Sequence, residues 1–475
     1  MLRTTLPKPH DLLARDREWS RLVESYEAPG PSLVLVMGRR RSGKSWLLTR
    51  IARATGGAYF QARRQTEREV LHGLSRAIGE RFDDAALRTV SFPTWDACLE
   101  YVVAKAAGEP FTLVLDEFPY LVEAAPALPS ILQAWWDHGL KDTRIQLVLS
   151  GSHVSVMKRL VAEDQPLYGR RTGRIDVRPF DYKDAALFVP GWTARDRLRA
   201  WAIFGGLPGH LALLDPGRSL RDNVAAHVLD DSGRLFDEAV RGFDSFLSDA
   251  AVHYSIVEAI ASGEQTWTRI AARVGKQTSA VQRPLDWLLD MEVVERVAPV
   301  TEYPRPSPKR QVYRLSDPYL AFWYRFVADI KGRGLSALTD SGALWDRLVE
   351  PRLDERHVAH AFEEACRQFT ARSQHPDLPF RPIQVGSWWN RDSSEQVDVV
   401  ALDGEGGLLA GECKWGAVDR HDLERLERRA KAVAADAGGI HSTTLALFTA
   451  DEATPVSHRE LGRKALVFSI DDLYA

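Results

Sequence analysis

The chain has 475 residues, 45% hydrophobic and 27% charged, with a formal net charge of −3 and an isoelectric point near 6.5. This length predicts about two to four domains, and the balance of charge excludes a chain coated in basic residues while allowing a local basic groove. Cys98, Cys366 and Cys413 lack metal-type spacing and predict reduced thiols. The chain starts without an apolar signal core and has no stretch of membrane-spanning length, so we expect a cytoplasmic protein with no membrane partner.

The first strong signal is a glycine-rich loop between a strand and a helix. The apolar strand Leu33 to Met37 runs into GRRRSGKS, which matches GxxxxGK[ST], and an amphipathic helix follows. In that context backbone N–H groups converge on phosphates at the helix N-terminus. The pattern predicts an ATP site whose contacts come from Gly38, Arg39, Arg40, Arg41, Ser42, Gly43, Lys44, Ser45 and Trp46.

Acidic residues follow a second apolar strand, in FTLVLDEFPYL. Lys44 is expected to reach the β- and γ-phosphates and the Ser45 hydroxyl to ligate Mg²⁺. Asp116 is expected to hold the Mg²⁺, and Glu117 to orient or deprotonate the attacking water. Together the two segments predict an ATP hydrolase that uses Mg²⁺.

Two further segments supply candidate γ-phosphate contacts. A third strand, RIQLVLSGSH, ends in polar residues, so either Ser150 or Ser152 is a candidate γ-phosphate sensor. Arg170 and Arg171 follow a turn glycine in LYGRRTG. They are candidate catalytic arginine fingers, with plain surface arginines as the alternative.

The ordered set GRRRSGKS, LVLDEFPYL, LSGSH, LYGRRTG and FGGLPGHL resembles the archaeal-type AAA+ ATPases of archaea and bacteria, over roughly residues 10 to 235. The resemblance implies an NTP-driven switch or machine with a helical lid at FGGLPGHL. The family's usual Gly-Arg-Glu element is replaced by Ala14-Arg15-Asp16, a slight departure.

The middle of the chain, from about Ala251, changes periodicity. It reads as three helices and two strands, the pattern of a winged helix-turn-helix. Its predicted core is Ile256, Ile260, Ile270, Val274, Val281, Leu285 and Leu288. The predicted recognition helix, Thr278 to Asp290, contains Pro284, which we expect to kink it. Candidate DNA contacts are Lys276, Gln282 and Arg283, flanked by Arg273; contact with a protein partner is the alternative.

The last part of the chain combines an acid on a helix, an acid on a strand and a Glu-x-Lys sequence. The helix HVAHAFEEACRQF carries Glu363 and Glu364, the apolar strand Val397 to Ala401 carries Asp398, and LLAGECKW carries Glu412 and Lys414. The two strands are expected to pair antiparallel within a four-stranded α/β domain.

This order resembles the PD-(D/E)xK nuclease fold over about residues 345 to 475. The resemblance implies a divalent metal, Mg²⁺ or Mn²⁺, held by Glu363, Asp398 and Glu412, which supplies hydroxide and stabilises charge on a scissile phosphate. Lys414 is then the catalytic lysine. Trp388 and Trp389 either line the groove by stacking or belong to the core.

The sequence thus predicts an α/β multidomain protein: a P-loop AAA+ ATPase core (1–180), a helical lid (181–250), a winged helix-turn-helix (251–316), a helical linker (317–344) and a C-terminal α/β PD-(D/E)xK nuclease-like domain (345–475). The favoured function is an ATPase that couples ATP turnover to DNA binding and metal-dependent DNA cleavage. The alternatives are a nucleotide-switched regulator with an inactive nuclease-like domain, and a signalling NTPase acting as a homo-oligomer.

Overall fold

The computed structural model describes residues 6–241, 250–303, 308–372, 375–451 and 465–475. The chain divides into two compact units. The first is Met1–Pro179 together with Leu207–Gly209, and the second is Phe180–Gly206 together with His210–Ala475. No helix in the described ranges combines the length and the apolarity needed to cross a bilayer.

The first unit is built on a parallel sheet in the order β2-β3-β4-β1-β5. Its strands are β1 (Ser32–Met37), β2 (Ala58–Gln61), β3 (Phe111–Asp116), β4 (Ile145–Gly151) and β5 (Gly173–Asp176). The helices are Asp16–Tyr26, Lys44–Ala54, Glu67–Arg81, Trp95–Ala106, Phe118–Ala124, Leu128–Ala134, the π-helical turn Trp135–Gly139, and Val154–Arg159.

The three central strands of this sheet are buried along their whole length. They read as nearly continuous apolar runs because a parallel sheet is covered on both faces. Strands β1, β3 and β4 run in the same direction, so their carboxyl ends lie at one edge of the sheet. That edge carries the glycine-rich loop and the segments after Asp116 and Gly151.

The second unit begins with helical segments. They are Tyr182–Ala185, Ala186–Phe188, Ala194–Phe204, Leu220–Val224, Ala225–Leu229 and Glu238–Arg241. The short helix Pro208–Leu211 lies within the stretch where the chain passes from one unit to the other.

Three helices and a two-stranded antiparallel sheet follow. The helices are Ala251–Ala261, Trp267–Val274 and Thr278–Asp290, and the strands are β6 (Val294–Val297) and β7 (Val312–Leu315), with a 3₁₀ turn at Val300–Glu302. Of the predicted core, Ile256, Ile260, Ile270, Val281, Leu285 and Leu288 are buried. Val274 is only half-buried because it lies in the last turn before Gly275. The third helix continues through Pro284.

A long helical stretch connects this segment to the second sheet. Its segments are Pro318–Phe322, Trp323–Val327, Ala328–Gly332, Leu335–Ala337, Ser341–Leu344, Trp345–Val349, Glu350–Leu353, Asp354–Val358 and Ala359–Arg372.

The second sheet has the order β12-β11-β10-β9-β8. Its strands are β8 (Gln384–Trp389), β9 (Gln396–Leu402), β10 (Gly407–Lys414), β11 (Ser442–Thr449) and β12 (Leu466–Ser469), with helix Arg420–Ala437 between β10 and β11 and helix Ile470–Tyr474 last. The predicted antiparallel pairing of β9 with β10 is present, while β10, β11 and β12 run parallel. The sheet has five strands where four were expected, because β12 pairs with β11.

The structure shows whether Trp388 and Trp389 line a groove or belong to the core. Their side chains are 2% and 6% exposed, and the Trp388 indole N–H donates to Asp436 Oδ2 at 2.7 Å. Both indoles belong to the interior of the second unit, so stacking on an exposed groove is the wrong interpretation for this pair.

Candidate functional site

The glycine-rich loop follows β1 directly and ends at helix Lys44–Ala54. Gly43 has φ = 88°, in the left-handed region that favours glycine. At Gly38 a Cβ atom would lie 2.3 Å from the Val177 carbonyl oxygen, so only glycine allows this close approach. These two positions explain why the motif has glycine at both ends of the loop.

The other loop residues differ in exposure. Ser42 is fully buried and its hydroxyl has no hydrogen-bond partner among the described residues. Arg40, Arg41 and Trp46 are exposed, and the Arg50 guanidinium lies 3.1 Å from the centre of the Trp46 ring. The Arg50 guanidinium and the Trp46 indole thus form a cation–π pair on the exposed side of helix Lys44–Ala54.

Lys44 lies across the loop. Its ammonium donates to the carbonyl oxygens of Gly38, at 2.7 Å, and Arg39, at 2.9 Å. Burial lowers the pKa of Lys44, and the charges of Glu117 and Asp116 oppose that effect. A buried ammonium held by two neutral carbonyls gains from exchanging them for phosphate oxygens.

Ser45, Tyr59 and Asp116 form one hydrogen-bonded group. The hydroxyls of Ser45 and Tyr59 each donate to Asp116 Oδ2 at 2.7 Å, and Asp116 is fully buried. Hydroxyl and carboxylate oxygens are the hard ligands that Mg²⁺ prefers, so this group fits a magnesium ion. Tyr59 is a member that sequence reasoning missed.

Glu117 follows Asp116 with φ = 55°, a left-handed backbone. The Ser152 hydroxyl lies 3.0 Å from Glu117 Oε1 and 2.9 Å from Oε2, and the Ser152 N–H donates to Oε2 at 3.3 Å. Ser150 is fully buried, and its hydroxyl has no hydrogen-bond partner in the part of the chain that the structure describes. The structure therefore places Ser152, not Ser150, beside the predicted base.

The two candidate arginine fingers lie in different surroundings. Arg170 forms an ion pair with Asp137, with Nε 2.9 Å from Oδ1 and Nη2 2.8 Å from Oδ2. This contact raises the pKa of Arg170 and lowers that of Asp137. Arg171 is exposed to solvent.

Arg15 stabilises the glycine-rich loop through a hydrogen bond to its backbone. Its guanidinium donates to the carbonyl oxygens of Ser42, at 2.9 Å, and Arg178, at 2.8 Å, and pairs with Glu18 at 2.9 Å. Ala14 and Arg15 both have positive φ, 50° and 62°. Ala14 thus adopts a backbone that a glycine would adopt without strain, at the position where the sequence departs from Gly-Arg-Glu.

The segment Leu207–Gly209 returns to the first unit and lies against the loop. The Gly209 N–H donates to the Arg41 carbonyl oxygen at 3.3 Å, and Pro208 lies close to Gly43. The family resemblance implied a helical lid at FGGLPGHL, and the sequence did not predict the contact of Gly209 with Arg41.

A second candidate site lies on β9, β10 and helix Ala359–Arg372. Burial, together with the charges of Glu363 and Glu412, raises the pKa of Asp398 to about 7. The Cys413 N–H donates to Asp398 Oδ2 at 2.9 Å. The predicted acids therefore share one electrostatic environment.

Positive side chains already pair with Glu412, and Lys414 pairs with Asp422 on the following helix. Arg425 lies 2.7 Å from Glu412 Oε1, Arg429 lies 3.3 Å from Glu412 Oε2, and Lys414 lies 3.3 Å from Asp422 Oδ1. Within the described ranges no group of three or more His, Cys, Asp or Glu side chains has an arrangement that could hold a metal ion.

The predicted recognition helix presents polar residues to solvent. Gln282 and Arg283 on helix Thr278–Asp290 are exposed, as are Lys276 and Arg273 just before it. Their exposure permits contact with a partner but does not identify one.

Comparison with known proteins relates the first unit to ATPase domains. Residues 12–214 match a family described as an ATPase domain predominantly from Archaea, and residues 323–426 match a family of archaeal and bacterial proteins of unknown function. An uncharacterized protein of Methanocaldococcus jannaschii is 25% identical over 432 residues, which cover 87% of this chain and 90% of that protein.

A Walker-type ATPase of Pyrococcus abyssi is similar in structure, with a TM-score of 0.51 and 20% identity over 68% of this chain and 99% of that one. The ORC2 protein of Aeropyrum pernix gives a TM-score of 0.41 with 14% identity over 71% of this chain and 98% of that one, which is too low to carry an inference. The chain carries an ATPase domain of archaeal type with a P-loop α/β fold.

Proposed function

We propose that the chain hydrolyses ATP and couples this turnover to the processing of DNA. The observation that carries the first half is the Ser45–Asp116 hydrogen bond of 2.7 Å beside the buried Lys44. A bound Mg²⁺ supplies charge neutralisation on the phosphates. Lys44 binds the β- and γ-phosphates, and Ser45 and Asp116 hold the ion.

Hydrolysis then needs a group that takes a proton. Water attacks the γ-phosphorus, the bond from this phosphorus to the bridging oxygen breaks, and ADP leaves with that oxygen. Glu117 accepts the proton of the attacking water. Ser152 fixes both carboxylate oxygens of Glu117, so it acts as a positioning residue.

Two substitutions test this assignment. Lys44→Ala should lose ATP binding, because the cation that meets the phosphates is gone, while Lys141→Ala, an exposed lysine of the same unit, should bind normally. Glu117→Gln should bind ATP and fail to hydrolyse it. Normal ATP affinity in Lys44→Ala would exclude this loop as the phosphate site.

For the second unit we propose a metal-dependent nuclease site at Glu363, Asp398, Glu412 and Lys414. Its support is that the charges of Glu363 and Glu412 both act on the Asp398 carboxyl and help to raise its pKa, a repulsion that a divalent cation would relieve. Against it stands the lack, within the described ranges, of three such side chains arranged to hold a metal ion. The order helix, three strands, helix, strand agrees with the nuclease resemblance. Nicking of DNA with Mg²⁺ or Mn²⁺, lost in Lys414→Ala, is the expected result.

The competing proposal is a nucleotide-switched regulator with an inert second sheet. The contacts of Arg425 and Arg429 with Glu412 favour it, because these cations occupy the carboxylate that a metal would need. Absence of nicking with either metal, combined with normal ATP hydrolysis, would select the regulator.

We also propose that the three helices and the β6–β7 hairpin form a winged helix that binds DNA. The order of the elements and the exposure of Lys276, Gln282 and Arg283 support it. Binding should weaken with salt and with charge reversal at Lys276 and Arg283, because these cations displace counterions from phosphates. Binding that ignores both changes would indicate a protein partner.

A further inference from the structure

The second unit contains a pocket of about 420 Å³. Its walls come from the β6–β7 hairpin, the helical stretch that begins at Pro318, helix Ala359–Arg372 and the start of β9. The lining residues that matter here are Glu295, Arg314, Arg325, Glu363, Arg367 and Gln396. We call it the Arg314 pocket.

Asp398 does not itself line the Arg314 pocket, but three lining residues contact it or act on its charge. The side-chain amide of Gln396 donates to Asp398 Oδ1 at 3.3 Å. Arg367 Nη1 donates to the Asp398 carbonyl oxygen at 2.9 Å, and the charge of Glu363 acts on the Asp398 carboxyl. Three lining residues therefore contact or influence the acid at the centre of the second candidate site.

The arginines of the pocket are not equivalent. Arg367 is committed to the protein, because its Nε lies 2.9 Å from Glu364 Oε2. Among the described residues, neither Arg314 nor Arg325 forms an ion pair, and Arg314 Nε is buried without a hydrogen-bond partner. Burial lowers the pKa of both side chains. Arg314 is half-buried and Arg325 is exposed at the pocket wall. Two guanidinium groups without an ion-pair partner among the described residues favour an anionic ligand there.

We propose that the Arg314 pocket admits single-stranded DNA to the Asp398 site, with Arg314 and Arg325 contacting its phosphates. This inference rests on the nuclease function proposed above and names its substrate class. A volume of 420 Å³ lies in the range of pockets that hold one small ligand, about 300–1,000 Å³. A cavity that holds one small ligand fits one nucleotide of a single strand, whereas two paired strands are too large for it.

The experiment measures binding before cleavage. The full chain, in EDTA, is titrated against a short 5′-fluorescein-labelled oligothymidylate and against a duplex of equal length, and anisotropy is recorded. We expect tighter binding of the single strand, weakened about tenfold by Arg314→Ala and by Arg325→Ala. The slope of log K against log salt should shrink by about 0.7 for each phosphate contact removed.

Controls separate binding from folding. Arg296→Ala removes an exposed arginine that does not line the pocket, from strand β6, which pairs with the strand that carries Arg314. This variant should bind as the wild type does. Arg314→Lys keeps the charge and should recover part of the affinity. Equal effects of Arg314→Ala and Arg296→Ala, or tighter binding of the duplex, would overturn the inference.

A parallel nicking assay distinguishes the two proposals. Strand binding that depends on Arg314, without cleavage in Mg²⁺ or Mn²⁺, would sink the nuclease proposal and leave the binding pocket standing. Cleavage of duplex DNA at the wild-type rate by Arg314→Ala would support the nuclease proposal and overturn the role of the pocket, since the nuclease would then work without Arg314.

Discussion

The hydroxyl of Tyr59 donates to Asp116 Oδ2 at 2.7 Å, the same oxygen that accepts the Ser45 hydroxyl. Burial and the charge of Asp116 raise the pKa of Tyr59, so the phenol stays protonated and remains a donor. The Ser45 oxygen keeps lone pairs for a cation while its proton points to Asp116. Tyr59 thus fixes the carboxylate that the proposed magnesium site uses.

Tyr59→Phe should raise the Mg²⁺ concentration needed for half-maximal ATP hydrolysis about fivefold, the equivalent of one hydrogen bond of about 1 kcal/mol. Nucleotide binding without Mg²⁺ should not change. Tyr101→Phe is a matched control, since it removes a 2.7 Å Tyr–Asp hydrogen bond to Asp84 away from the loop. A Mg²⁺ dependence identical in the two variants would reduce Tyr59 to a structural residue.

The two serines after β4 should behave oppositely. Ser152→Ala frees the Glu117 carboxylate and should lower kcat about tenfold with little change in KM for ATP, the size expected when a catalytic base loses its positioning. Ser150→Ala removes a buried hydroxyl without a partner, so it should keep the wild-type rate and should not lower Tm. Steady-state kinetics and thermal unfolding on both variants check this, and a loss of kcat in Ser150→Ala alone would reverse the assignment.

The sequence predicted the first site where chemistry follows a local pattern. The loop from Gly38 to Ser45 and the acids after β3 are contiguous motifs, and each lies at a strand end as expected. Tyr59 was missed because its partner Asp116 is 57 residues away and only the pairing of β2 with β3 brings them together. The sequence singled out Arg15 but not its contacts, for the same reason, since its hydrogen bond to the Arg178 carbonyl oxygen spans 163 residues.

The second unit shows a different limit. Short apolar runs predicted β9 and β10, and the Gly-rich turn between them predicted their antiparallel pairing. Strand β12 was missed because it is short, and its place is set by pairing with β11, not by a turn. Tryptophans are common both in binding grooves and in protein cores. The burial of Trp388 and Trp389 could therefore not be predicted from the residue type alone.

Metal binding at the second site is a separate prediction. In the Lys44→Ala chain without nucleotide, Mn²⁺ should bind at the acids of β9 and β10 when followed by calorimetry. Asp398→Ala and Glu412→Ala should each remove this binding, because each deletes an oxygen ligand. Lys414→Ala should keep it and stop cleavage.

Glu405→Ala, on the exposed turn between β9 and β10, is the control and should bind Mn²⁺ normally. If the Lys44→Ala chain takes up no Mn²⁺ at millimolar concentration, the acids do not form a metal site and the regulator proposal gains. Equal loss of binding in Lys414→Ala would mean that the lysine holds the acids in place, with no separate role at the phosphate.

The last prediction concerns pH and the Arg314 pocket. Glu295 is exposed along β6, yet desolvation by its surroundings and the charge of Glu364, against the opposing charges of Arg367 and Arg314, together raise its pKa to about 7. Below pH 7 the protonated carboxyl is neutral, and above it the carboxylate repels a phosphate held at Arg314. Single-strand binding should therefore weaken several-fold from pH 6 to pH 8. Glu295→Gln should remove the part of this loss that is due to Glu295 and leave the part due to Asp398, whose pKa is also about 7.

Since His360 also lines the pocket, anisotropy titrations on His360→Gln serve as the control and should keep the wild-type pH dependence. A pH profile that survives in Glu295→Gln and vanishes in His360→Gln would assign the titration to the histidine and remove Glu295 from the phosphate contact.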